Sequence, residues 1–181
     1  MKLLKSALLG LLIISLAVSG CKKDEEESNY LQVGDKTVTL SDGNIKYYGD
    51  YSATSWNFDL DFVSPEITLS TDESGNPDYT GVGARVYFEV YSASSTKLND
   101  GDYTYLNDGT YAAGTYDEFS YTYDYNGDYT IVDGYEGTLT VKNNGNNSFV
   151  IDFSGKDENS NVVKLHYNGT LHYYDRSNIA K

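Results

Sequence analysis

Cysteine is almost missing from this 181-residue chain: Cys21 stands alone, so no internal disulfide and no multi-thiolate metal site can form. Two prolines exclude collagen-like and proline-rich polymers. Basic residues are scarce, with 13 Lys and Arg against 27 Asp and Glu, a formal charge of −14. Nucleic acid is therefore excluded as an expected partner, because binding it depends on neutralising phosphates. Histidine occurs twice, at His166 and His172. Six residues along one strand would hold the two roughly 20 Å apart, too far to share a metal or a proton. No glycine-rich phosphate loop, EF-hand or nucleophile elbow is present, and the chain implies no enzyme, cofactor or metal centre.

Apolar residues are concentrated at the start. Lys2 and Lys5 precede an apolar run from Ala7 to Val18, followed by the small residues Ser19 and Gly20. The run is too short to cross about 30 Å of hydrocarbon, and with its small-residue exit it predicts a signal peptide over residues 1–20. The segment Leu16-Ala17-Val18-Ser19-Gly20-Cys21 resembles the bacterial lipobox. That resemblance implies lipidation of Cys21, the lone cysteine, and a membrane partner reached through its acyl chains. Residues 21–29 continue with Lys22-Lys23-Asp24-Glu25-Glu26-Glu27, which buries nothing and predicts a solvated tether. A lysine and an acidic cluster directly after the lipobox resemble the surface-export signal of Bacteroidetes lipoproteins. This implies an outer-membrane protein facing the cell exterior; the alternative is a charged tether on a periplasm-facing lipoprotein.

Residues 30–181 predict one β domain. Removing the signal takes two lysines and no acid, leaving 27 acids against 11 bases. Trp56, Phe58, Leu60 and Phe62 alternate with Asn57, Asp59 and Asp61. Ala84, Val86, Phe88 and Val90 alternate with Arg85, Tyr87, Glu89 and Tyr91. Phe119, Tyr121, Tyr123 and Tyr125 form a third inward row, and Phe149, Ile151 and Phe153 a fourth. Period two with one polar face argues for antiparallel strands wet on one side. Val33-Gly34-Asp35-Lys36 predicts a tight hairpin, Asn126-Gly127 and Asn144-Gly145 punctuate strand pairs, and Ser74-Gly75-Asn76-Pro77 marks a loop. Asn168-Gly169 looks like another turn, but Val163, Leu165, Tyr167, Leu171 and Tyr173 keep one phase through it. Val162–Tyr174 therefore reads as a single strand.

The expected fold class is all-β: a single antiparallel meander of about eight to ten strands, with an up-and-down β-barrel favoured over a two-sheet sandwich. Tether, meander and the recurring Tyr135-Glu136-Gly137-Thr138-Leu139 and Tyr167-Asn168-Gly169-Thr170-Leu171 together resemble small Bacteroidetes surface lipoproteins with a calycin-like (lipocalin-like) β domain. The resemblance implies a fold and a location, and no reaction.

Tyrosine is the compositional excess, with 19 residues. Strand preference explains most of them. Tyr87 and Tyr91 share the polar face of their strand and are candidates for an exposed platform that stacks on a glycan or a protein partner. Tyr121, Tyr123 and Tyr125 are candidates for the lining of an internal calyx. The expectation is a non-enzymatic binding module using exposed Tyr and Asn/Asp. The alternatives are a calyx-type carrier of a small ligand and a structural envelope lipoprotein without one.

Overall fold

The computed structural model describes residues 28–126 and 131–178. The expected signal segment and the Cys21 anchor lie outside these residues, as does Gly127 of the expected Asn126-Gly127 turn. Thirteen strands run in order: β1 (Tyr30–Val33), β2 (Lys36–Thr39), β3 (Asp42–Ser52), β4 (Ser55–Val63), β5 (Ile67–Thr71), β6 (Pro77–Gly81) and β7 (Gly83–Ser92). β8 (Gly101–Tyr105), β9 (Thr115–Tyr125), β10 (Val132–Gly145), β11 (Ser148–Asp157), β12 (Val162–Thr170) and β13 (His172–Asp175) complete the set. There is no helix among the described residues.

Eleven strands form one large curled sheet, a half-barrel, in the order β13-β3-β4-β7-β9-β8-β10-β11-β12-β1-β2. β5 and β6 form a separate hairpin. The all-β expectation holds, but the simple meander does not: β13 runs parallel to β3, and β8 parallel to β9. The first parallel pairing has a local cause. Asn168 and Gly169 sit in the ladder opposite Val150 and Phe149, so no turn forms there. The chain continues to Leu171, whose N–H is held by the Asn147 carbonyl, and then leaves β11 to run beside β3.

The core follows the period-two rows. Phe88 stacks on Phe119 with centroids 4.7 Å apart, and Phe153 packs against both at 5.1 and 4.5 Å. Phe62 meets Tyr167 from the far side of the sheet at 4.9 Å. Burying each such ring contributes about 1.5–3 kcal/mol, which makes this cluster the main source of cohesion.

Two turns set the ends. Gly34, at φ +55, makes the two-residue β1–β2 connection with Val33 opposite Lys36, as expected. Between β10 and β11 the turn is not at Asn144-Gly145: Gly145 pairs with Ser148, and Asn146 and Asn147 take φ values of 52 and 59. Two positive φ values in succession are the mark of a primed hairpin turn, which asparagine tolerates better than most residues.

Candidate functional site

Strand register arranges the outward side chains of β4, β7 and β9 in rows. Asp59, Glu89 and Glu118 lie opposite one another, then Asp61, Tyr87 and Ser120, then Val63, Arg85 and Thr122. Alternation predicts a wet face here, and the structure corrects that. Asn57 and Asp61 are wholly buried and Asp59 nearly so. At the Asp61 end the cover is the β5–β6 hairpin: the Tyr79 hydroxyl accepts a hydrogen bond from Asn44 Nδ2 at 2.6 Å, and its ring lies 4.6 Å from the Arg85 guanidinium. Beneath it, Asp61 takes Lys46 Nζ at 2.7 Å on one oxygen and Arg85 Nε at 2.7 Å on the other. Burial alone would raise the Asp61 pKa, but the two cations hold it below the usual carboxylate range.

Tyr87 and Tyr91 therefore do not form an exposed platform. Tyr91 is 0% exposed, packed under Tyr51 and Tyr111 with centroids 5.2 Å from each. Tyr87 is half-buried. Its phenol is pushed far up by burial first and then by Asp59, Glu89 and Glu118. The inward row is also broken. Tyr121 is buried and donates to Asp157 Oδ2 at 2.8 Å, and Tyr123 lies 3.3 Å under Lys36 Nζ. A register shift between Gly83 and Arg85 adds residues to β9, so Tyr125 emerges on the outer face beside Tyr79 and Arg85. The three tyrosines do not line one calyx.

Among the described residues, two of the pockets are candidates. The first, about 190 Å³, opens on the outer face between Arg85, Tyr87, Glu118, Ser120, Tyr121, Thr122 and Ile131. It unites Tyr87 and Tyr121 from the two expected sets. The second, about 180 Å³, opens at the seam where β13 has left β11 for β3. Its floor is Ile45, Phe58, Leu98 and Phe149, and its rim carries Asn143, Asn146, Asn147 and Tyr173. Tyr173 is 44% exposed, and Asn143 is fixed by donating from Nδ2 to the Leu98 carbonyl at 2.8 Å. Neither Tyr173 nor these asparagines were singled out from sequence. The signal available was Asn143-Asn144-Gly145-Asn146-Asn147, four asparagines in five residues.

The two histidines are unlike in setting. His166 is buried, with Nδ1 2.7 Å from Asp152 Oδ1 and its ring 6.1 Å from Tyr30. His172 is exposed, 3.2 Å from Asp42. No group of three or more His, Cys, Asp or Glu placed to hold a metal occurs among the described residues. Comparison with known proteins finds no family model that matches the chain, no similar curated protein and no similar solved structure.

Proposed function

We propose that this chain is an outer-membrane lipoprotein facing the cell exterior, anchored through Cys21, whose calycin-like barrel is a non-enzymatic glycan-binding module. The binding residues are those of the seam pocket. The observation that carries this reading is the half-exposed Tyr173 ring standing over an apolar floor of Ile45, Phe58 and Phe149 beside an asparagine rim. A sugar ring presents C–H bonds on its faces and hydroxyls around its edge. An aromatic face covers the former, and side-chain amides donate to and accept from the latter. At about 180 Å³ the pocket is smaller than the roughly 300–1,000 Å³ of drug-sized sites, which suits one terminal ring rather than a whole oligosaccharide. Phe88, Phe119 and Phe153 pack against one another in the core, which supports a site on the rim over one inside a calyx.

The test is binding of the full protein, purified in detergent, to an array of envelope and host polysaccharides. Tyr173→Ala is expected to weaken the captured glycan by about tenfold or more, the scale of losing one well-placed aromatic contact. Equal binding by Tyr173→Ala, or no glycan captured at all, would overturn the reading.

A further inference from the structure

The outer-face pocket lies apart from the seam pocket and shares no residue with it. Its chemistry is also different. Tyr87 and Ser120 are direct cross-strand partners, and neither hydroxyl has a hydrogen-bond partner among the described residues. Ser120 is only 5% exposed, so this is a buried polar group whose access is the pocket itself. Buried hydroxyls without partners are uncommon and mark a place where something else supplies the bond. Two residues along the same face of β9 from Ser120 stands Glu118, which is exposed and has no ion pair among the described residues.

The charges around Glu118 and Asp61 come from five strands. β3 contributes Lys46, β4 Asp59 and Asp61, β7 Arg85 and Glu89, β9 Asp117 and Glu118, and β10 Asp133. Asp61 engages both cations, and the Arg85 guanidinium is further held over the Tyr79 and Tyr125 rings at 4.6 and 5.2 Å. Neither positive charge is directed at Glu118. The Glu118 carboxyl is correspondingly pushed up, by burial first and then by Glu89, Asp117, Asp133 and Asp59. A row of like charges directly opposite one another costs stability.

We infer that this pocket binds a protonated primary amine, with the ammonium donating to the Glu118 carboxylate and to the Ser120 and Tyr87 hydroxyl oxygens, beside the Tyr87 ring. An ammonium has three donors and no acceptor, which matches one carboxylate and two hydroxyl oxygens. At about 190 Å³ the space admits the amine and the atoms next to it.

The experiment is calorimetric titration of the full protein in detergent with ethanolamine, and with ethylene glycol as the neutral probe of nearly the same shape. Ethanolamine is expected to bind saturably and ethylene glycol not at all. Glu118→Gln and Ser120→Ala should each weaken ethanolamine by about tenfold or more, the scale of a charge-assisted hydrogen bond. Equal binding of the two probes, retention of ethanolamine binding in Glu118→Gln, or no binding would each overturn the inference. Retained thermal melting of Glu118→Gln shows that a loss is local. Failure of the seam-pocket reading appears instead as neutral glycans that ignore Tyr173.

Discussion

Glu89 on β7 and Glu118 on β9 are direct cross-strand partners, two carboxylates side by side on one face. Replacing Glu118 by Gln should raise stability by about 0.2–1 kcal/mol at neutral pH, the usual size of a cross-strand pair effect. The sign with pH follows. A folded-state pKa above the ordinary value means the folded chain holds this proton more tightly than the unfolded one. The penalty is therefore absent below the ordinary carboxylate range and grows as pH rises through the Glu118 titration. Chemical denaturation across mildly acidic pH should show the wild type gaining stability on acidification and Glu118→Gln gaining less.

Asp61 behaves in the opposite sense. Its carboxyl is held low by Lys46 and Arg85, so its stabilisation is present above the ordinary carboxylate pKa and is lost as pH falls through its depressed folded value. Asp61→Ala strands two largely buried cations and should cost about 3–5 kcal/mol in urea denaturation. The exposed Lys156–Glu136 pair is the contrast. Lys156→Ala should change stability by less than about 1 kcal/mol. If the two variants lost the same amount, the outer-face network would not be the buried unit described.

Gly134 tests the packing of the aromatic cluster. A Cβ built there would fall 2.0 Å from Phe119 Cδ1. That ring cannot retreat, because Phe88 and Phe153 hold it at 4.7 and 4.5 Å. Gly134→Ala should cost about 1–3 kcal/mol as overpacking, read as a lower urea midpoint. At Gly75, where the Cβ meets nothing, any cost of the same change comes from its φ of +79 alone.

Asn147 offers a stabilising change. Its φ of 59 sits in the left-handed region at the second central position of the β10–β11 turn, where glycine is preferred. Asn147→Gly should raise the melting temperature slightly, by an amount corresponding to a few tenths of a kcal/mol. Because the same residue rims the seam pocket, this variant should also bind glycan less well.

The anchor has its own test. Cys21→Ala should move the protein from the sedimenting membrane fraction to the soluble one, since two or more acyl chains hold stably where none would. A variant that still sediments would overturn the lipoprotein reading.

Much of the sheet was legible in the chain because alternation reports directly which side chains face a core. Phe58, Leu60, Phe62, Val86, Phe88 and Phe119 all lie where their phase places them. What alternation cannot report is whether the polar face is covered. Asn57, Asp59 and Asp61 have the pattern of solvent-facing residues, yet all three are buried, with Tyr79 of the β5–β6 hairpin lying over the Asp61 end of that face. Tyr125 was misplaced for a related reason: extra residues in β9 invert the face, and nothing in Tyr-Asp-Tyr announces a bulge. Tyr173 was passed over because its neighbours in the pocket come from β3, β4 and the β10–β11 turn, which meet only once β13 has changed partners.

That change of partners at Leu171 bears on the order in which the molecule can assemble. β12 fastens to β11 and β1, and two residues after its last pairing the same run of chain fastens to β3. Until it arrives, β3 keeps one row of backbone donors and acceptors open, and β1 and β2 have only each other. The earliest strands thus wait for the last ones described, a separation in sequence that slows nucleation and leaves open edges exposed meanwhile. A chain stopped after Asn161 would keep the whole aromatic ring cluster of Phe88, Phe119 and Phe153 and still be unable to close around it.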